Sequence, residues 1–433
     1  MLSSRTLEND VVSKLTNRLL PFLFLLYVVG YLDRINVGFA ALQMQQQLGF
    51  NDAVYGRAAG AFFLGYFCFQ IPSNLMLSRF GARRWIAILM VSWGIVSSSL
   101  VFVTTPNSFY ILRFCLGLAE AGFFPGVILY LRNWFPSETR ARAIAWFMTA
   151  GPISGVIGGP LSGALLAINN RHGLSGWQWL FLVEGLPAIL LGALVLFYLP
   201  ENLETANWLT VEQRAWLADT LERQQGAPAD SSLPFHALLS GKAWLLALSY
   251  FLLNTCGYGV ILWLPKLIHS LSGLGSFAIG MLSAIPYLAA AVAMVFVGLH
   301  SDRTRERRWH AASFAYLAAV ALPIAACSRN TSVMIAALSV AVLSVYCIGG
   351  PFWAVSTNLL DETVAATGIA LINAFGNLGG FCGPYLVGLV RSATGEFKDG
   401  LFLLAAAIAL SGCSLLLASP SAHGRTTGKS QRI

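Results

Sequence analysis

Residues 78–85 read SRFGARRW, and residues 302–309 read DRTRERRW. Each octet is a basic, hydrophilic knot between two long apolar runs. The two align at a shift of 224 residues, which lays Arg79 on Arg303, Arg83 on Arg307, Arg84 on Arg308 and Trp85 on Trp309. The same shift lays Gly155, Gly159 and Pro160 on Gly379, Gly383 and Pro384. Basic loops and Gly-rich helices do recur independently, yet one shift carrying two separate motifs points to an internal duplication.

Outward from the octets, apolar runs fall near 19–39, 54–77, 84–104, 107–131, 141–168 and 178–199. After a polar interval they resume near 243–264, 274–299, 311–328, 331–353, 364–391 and 400–419. Each is long enough for the roughly 20 residues that a spanning helix needs. The composition agrees: 56% of the chain is hydrophobic and 11% charged, with a mean hydropathy of +0.67. A water-facing domain carries roughly 25% charged residues, so lipid has to be the solvent. A membrane β-barrel would instead alternate over segments of about ten residues. The first run follows polar residues, contains Asp33-Arg34 and precedes eleven more runs, unlike a cleaved signal peptide. The expected fold is an all-α membrane protein, with twelve transmembrane helices in two six-helix pseudo-repeats. Residues 1–199 form one bundle, 200–242 a linker with a short amphipathic helix around TVEQRAWLADTLERQ (210–224), and 243–433 the second bundle with a short tail.

The net charge of +8 would suit a nucleic-acid partner if it were gathered on one surface, but it is sorted by loop. On the twelve-span reading, nineteen of the Lys and Arg residues lie in loops on the side of the termini and six on the other. The first group includes Arg5, Lys14, Arg18, both octets, Arg425, Lys429 and Arg432; the second includes Arg57, Lys266 and Arg391. Cytoplasmic loops hold the excess of basic residues, so both termini are expected in the cytoplasm, with no nucleic acid as partner. The seven cysteines lie inside apolar runs and read as packing residues. No His, Cys or carboxylate set has metal-ligand spacing, no phosphate-binding loop precedes a helix, and no nucleophile has triad-like company. Neither a metal, a cofactor nor an enzymatic activity is expected.

A charged side chain at the bilayer centre costs about 2.5–3.5 kcal/mol on insertion scales and is by default a functional candidate. Five such residues occur, all in the first half: Asp33 and Arg34 in the first run, Arg113 and Glu120 in the fourth, and Glu184 in the sixth, nearer its outer end. Arg113 and Glu120 are two helical turns apart and share a face, whereas the adjacent Asp33 and Arg34 point apart. They can be read as two structural ion pairs tying the first helix to the fourth, Asp33 with Arg113 and Arg34 with Glu120 or the reverse. On the functional reading, Arg34 and Arg113 bind a carboxylate, for which the guanidinium fork is shaped, and Asp33 and Glu120 carry protons. Tyr66 is either a hydroxyl donor to substrate or a packing tyrosine. Asn373 and Asn377, one turn apart, either bind substrate hydroxyls or join helices. The glycines around Gly155–Gly163 read as close helix packing.

Several strings resemble the anion:cation symporter branch of the major facilitator superfamily: YLDRINVGFA (31–40), RFCLGLAEAGFFPGVILYLRNWFP (113–136), GWQWLFLVEGLPA (176–188), GPFWAVSTNLL (350–360) and GIALINAFGNLGGFCGPYLVG (368–388). The resemblance covers nearly all of the chain outside the termini and linker. Within the branch the sequence is most similar to bacterial permeases for tartrate, and next to those for phthalate, 4-hydroxyphenylacetate and related acids. It implies proton-coupled uptake of a small organic anion across a bacterial inner membrane by a monomer. It also implies coupling and anion-binding roles for Asp33, Arg34, Arg113 and Glu120. Arg79, Arg83, Arg84, Asp302, Arg303 and Arg307 match the family's gating loops, with one departure: Ser78 stands where the first loop usually carries an acid, so a latch relying on that acid is in doubt. The alternatives are a permease for an aromatic or sugar acid, a proton-driven exporter of cationic drugs, which the two arginines argue against, and a non-transporting sensor.

Overall fold

Lipid offers no hydrogen bonds to a backbone, so a chain immersed in it satisfies its amides internally, as helices. The computed structural model of the protein describes residues 4–168, 170–224, 240–360 and 362–419, and nearly all of them are helical. The side chain of Arg5, linker residues 225–239 and the tail with Arg425, Lys429 and Arg432 lie outside the described residues. The first half comprises α1 (Ser4–Leu48), α2 (Asp52–Phe80), α3 (Ala82–Ser99), α4 (Pro106–Glu120), α5 (Phe123–Trp134), α6 (Ser137–Met148), α7 (Ala150–Ala167) and α8 (Gly176–Tyr198). The linker holds α9 (Val211–Gln224). The second half comprises α10 (Gly241–Ser272), α11 (Ser276–Thr304), α12 (Arg308–Cys327), α13 (Thr331–Leu359), α14 (Glu362–Thr394) and α15 (Lys398–Ala418). With α4–α5 and α6–α7 each taken as one crossing, these make twelve transmembrane segments. Their outer faces carry exposed apolar side chains such as Ile71, Leu190 and Phe197, as lipid contact requires.

Three details depart from the sequence reading. The polar residues before the first apolar run continue α1 instead of preceding it, because Val11 and Leu15 are buried and Lys14 donates to Gln213 of α9 at 3.1 Å. The fourth run breaks at Ala121-Gly122, directly after Glu120. The fifth breaks at Thr149.

The duplication is visible in space. Helices α2 and α11 are both 29 residues long and are displaced by 224 at each end. At the centre of the molecule α1 meets α10 at equivalent positions: Arg34 Nη1 donates to the Tyr258 hydroxyl at 3.4 Å, 224 residues away. One turn on, a Cβ on Gly38 would stand 2.7 Å from the carbonyl oxygen of Leu262. The halves also meet through α2 on α14 and α7 on α11. In the latter a Cβ on Gly159 would lie 2.5 Å from the oxygen of Gly280, the close packing expected of those glycines.

The two faces of the bundle differ. At the face away from the start of α1, called here the far face, the Asp52 carboxylate holds Lys266 of α10 and, at 3.2 Å, Arg391 of α14. Tyr55 donates to the Leu262 carbonyl at 2.6 Å. These contacts cross between the halves and close that face. At the opposite, terminal face each basic loop is tied to its own half: Arg83 and Arg84 to Glu201 at 3.2 Å, and Arg307 to Asp302 at 3.4 Å. Arg79 and Arg303 are exposed. The halves therefore separate at the terminal face and touch at the far one.

Asp52→Asn should loosen the far face. A pair less than one-fifth exposed falls between the ~0–1 kcal/mol of surface ion pairs and the ~3–5 kcal/mol cost of breaking a buried one. An intermediate ~1–2 kcal/mol shifts the balance of states about 5–30-fold. Electron-resonance distances between spin labels on the far ends of α1 and α10 should gain a longer population. An unchanged distribution would show that the latch contributes nothing to closure.

Candidate functional site

Backbone contact between α2 and α4 assembles the charge cluster. A Cβ on Gly117 would stand 1.8 Å from the Phe62 carbonyl oxygen, and one on Gly65 2.1 Å from that of Phe114. Only hydrogen fits at either position, so α4 lies flat on α2 and brings Arg113 and Glu120 beside Phe62 and Tyr66. The helix then ends at Glu120, and Gly122 allows the break to nestle against Ser73, whose hydroxyl accepts from Trp85 at 2.9 Å. Interrupted helices at membrane depth recur at the binding sites of transporters.

Glu120, nearly fully buried, pairs with Arg34 of α1 at 2.8 Å through one carboxylate oxygen; its other oxygen has no partner. The Arg34 guanidinium also faces the rings of Phe62, Tyr66 and Tyr31, at 5.1, 5.5 and 5.8 Å. Arg113 shares the Phe62 ring, with its Cζ likewise 5.1 Å from the centroid. It is 0% exposed, none of its three guanidinium nitrogens makes a hydrogen bond, and no described carboxylate lies within 4.0 Å of it. Of the two structural pairs considered from sequence, Arg34–Glu120 forms and Asp33–Arg113 does not. Asp33, also wholly buried, turns to Ser97, which donates at 2.7 Å, and to Asn36, at 3.4 Å. Glu184 is buried too, and accepts from Ser162 at 2.7 Å.

A cavity of about 420 Å³ leads from the terminal face to this cluster. Its mouth passes Asp302 and Arg307, and its walls are Tyr27, Tyr250, Asn254 and Trp353. Its inner end is Tyr31, Tyr258 and Tyr346. Arg34 sits just behind, bonded to Tyr258. Tyr31 and Tyr346 join hydroxyl to hydroxyl across the halves at 2.9 Å. The lining is mostly apolar or glycine, with six aromatic side chains and few polar groups, as small-molecule sites commonly are.

The structure thus gathers Arg34, Arg113, Glu120 and Tyr66 into one cluster and sets Asp33 on its flank. It does not bring Asn373 or Asn377 to the cavity wall: Asn377 donates to Gln70 of α2 at 3.3 Å, across the halves, and Asn373 is half-buried. The sequence reading missed the Asp52–Lys266–Arg391 latch, Phe62 and the tyrosines 250 and 346. One available signal was unused. The 224-residue shift carries Arg34 onto Tyr258, and residues near a pseudo-twofold axis meet their own counterparts.

Comparison with known proteins agrees with this architecture. Residues 23–384 match the Major Facilitator Superfamily. Over 419 residues the chain is 46% identical to a protein of Agrobacterium vitis named "Putative tartrate transporter", with 96% of this chain and 92% of that one covered. It is 40% identical to a quinolone resistance transporter of Acinetobacter baumannii, with 92% of each covered. A solved bacterial homolog of the human lysosomal transporter Spinster, inward-facing and unoccupied, aligns with a TM-score of 0.76 at 17% identity over 93% of this chain and 96% of that one. That likeness bears on the fold alone. The chain is a multi-pass membrane transporter for a small molecule, and it belongs to the major facilitator superfamily.

Proposed function

We propose that the protein is a monomeric proton-coupled symporter that imports an organic anion, a hydroxy-dicarboxylate such as tartrate, across a bacterial inner membrane. The observation that carries this reading is a pair of guanidinium groups behind the closed end of the cavity: Arg34, bonded to the lining Tyr258 and paired to a carboxylate, and the buried Arg113, which shares its Phe62 ring and has no hydrogen-bond partner. A buried cation without hydrogen bonds is costly, and a carboxylate supplies what it lacks. Two arginines suit a substrate with two carboxylates. The sorting of basic loops supports a cytoplasmic terminal face, and on that reading the cavity open at this face makes the conformation inward-facing.

The coupling follows from charge. While Glu120 is ionised it occupies Arg34, and a substrate carboxylate cannot take the same fork. A proton on Glu120, loaded from outside, frees Arg34, and the anion then binds. Inside, loss of the anion and then of the proton restores the pair seen here. A doubly charged anion entering against an inside-negative potential needs two protons to become neutral, and each further proton gains about 2.3 kcal/mol per 100 mV. Asp33 is the second carrier. Tyr66, beside Arg34, donates to the bound anion, while Asn373 and Asn377 serve substrate hydroxyls only in a state that brings α14 inward.

The test is uptake of radiolabelled tartrate into proteoliposomes under an imposed proton gradient, with phthalate, 4-hydroxyphenylacetate and galactonate as competitors. Accumulation that collapses with the gradient and is blocked best by unlabelled tartrate is expected. The same assay addresses proton-driven export, the reading favoured by the 40% identical quinolone resistance transporter. Gradient-driven efflux of a quinolone without tartrate accumulation would overturn import in its favour.

A further inference from the structure

A second polar pocket lies on the flank of the charge cluster. Four helices of the first half build it: α1 contributes Asp33 and Asn36, α3 Ser97, α7 Ser162 and α8 Glu184. Asp33 and Asn36 are wholly buried, and Glu184 is 2% exposed. Neither carboxylate has a described basic nitrogen within 4.0 Å. Ser162 donates to Glu184 at 2.7 Å; Ser97 and Asn36 donate to Asp33 at 2.7 and 3.4 Å. The Asn36 amide also lies against Glu184, outside close hydrogen-bond geometry. One oxygen of each of the three residues, Asp33 Oδ2, Asn36 Oδ1 and Glu184 Oε2, is buried without a partner.

Burial with no adjacent cation disfavours ionising both carboxylates of one pocket together, so the geometry suits one proton on the pair. An amide is both donor and acceptor, so Asn36 can give its N–H to an ionised carboxylate while its Oδ1 accepts from a protonated one. That arrangement suits one proton on two acids, and it serves equally well with the proton on either. The charged groups acting on Asp33 are Glu120, Glu184 and, more weakly, Arg113. Around Glu184, α7 presents Ser162, α1 presents Asn36, and α3 packs with its neutral Ser97–Ser98 stretch.

Asp33 is the member nearer the charge cluster: Glu120 and Arg113 act on it electrostatically, whereas neither acts on Glu184. None of the group lines the cavity, so it stands apart from the opening at the terminal face.

We propose that Glu184, Asn36 and Asp33 form a proton relay to the charge cluster, with Glu184 as its receiving carboxylate. A hydrated proton binds Glu184 Oε2; the O–H bond then breaks as one forms at Asp33 Oδ2, and Glu184 returns to the carboxylate form. No electrons are exchanged. This inference rests on the proton-coupled reading above and gives it a route.

Two measurements separate the relay from that reading. Infrared difference spectra of the lipid-reconstituted protein, taken across a pH change without substrate, report buried carboxylic acids directly. The wild type should show such a band, and both Glu184→Gln and Asp33→Asn should alter it. In proteoliposomes, gradient-driven tartrate accumulation by Glu184→Gln should fall about tenfold or more, the scale of a coupling free energy, and tartrate exchange should fall much less. Its pH profile should also shift. Wild-type accumulation with an unaltered infrared band, pH profile and accumulation in Glu184→Gln would overturn the relay and leave symport intact. Absence of proton-driven uptake in the wild type would overturn symport itself, while the infrared band still decides whether the pair holds a proton.

Discussion

Glu120→Gln should abolish concentrative uptake while tartrate exchange persists. Glutamine keeps the shape of a protonated glutamate and never becomes an anion, so it cannot recapture Arg34 with an ionic bond of the kind now seen at 2.8 Å. In the wild type that recapture opposes the substrate whenever the proton has left. Removing it makes the binding state permanent on both sides of the membrane, and a carrier that binds its load equally on both sides equilibrates it. Coupling free energies of about 1–3 kcal/mol correspond to roughly 5–150-fold in affinity, so accumulation should fall by about two orders of magnitude. The sign with pH is fixed. Apparent affinity of the wild type should drop as pH rises, because more Glu120 is ionised and holds Arg34, whereas the variant should lose this part of the dependence. Radiotracer uptake with and without the gradient, and counterflow across a pH series, read both effects. Gradient-driven accumulation undiminished in Glu120→Gln would remove Glu120 from the coupling.

Much of this arrangement was legible in the chain, for physical reasons that also mark where legibility ends. Charge in an apolar run is expensive, so Asp33, Arg34, Arg113, Glu120 and Glu184 stand out against their neighbours, and periodicity places Arg113 and Glu120 on one face. The duplication was equally plain, since a repeated basic loop survives as a string. Partner choice was not. Arg113 and Glu120 lie beside Phe62 and Tyr66 because Gly65 and Gly117 let the backbones of α2 and α4 touch, and a glycine in a sequence does not say which helix approaches it. Asp52, Lys266 and Arg391 are spread over 340 residues at helix ends, where charges are ordinary, so their union at the far face carries no local signature. For Asn373 and Asn377 the sequence left two roles open, substrate binding or helix joining, and in this conformation Asn377 gives its amide to Gln70 of α2. The break after Glu120 had a cue in Ala121-Gly122. Glycine within a spanning helix is common, however, and only the approach of Ser73 gives this one its role.

Arg113 provides the sharper contrast between a residue kept for function and one kept for the fold. If it were structural glue, its loss would destabilise the protein by the ~3–5 kcal/mol typical of a broken buried pair. No such pair is present: its nitrogens are unpartnered, and its close electrostatic contact is the Phe62 ring at 5.1 Å, worth ~2 kcal/mol when desolvated. Replacing a poorly compensated buried charge by an apolar side chain of similar volume is often neutral or stabilising by ~1–4 kcal/mol. Arg113→Met should therefore raise, or leave unchanged, the melting temperature of the substrate-free protein and eliminate tartrate transport. Arg113→Lys keeps the charge and loses the fork. With about 1.5–3 kcal/mol at stake in a hydrogen bond to a charged group, its apparent tartrate affinity should fall roughly ten- to hundredfold. Thermal unfolding in detergent, with and without tartrate, measures both quantities, since a ligand raises the melting temperature only of a protein that binds it. A strongly destabilised Arg113→Met would return Arg113 to a structural role. A stable variant that no longer responds to tartrate is what an anion-binding guanidinium requires.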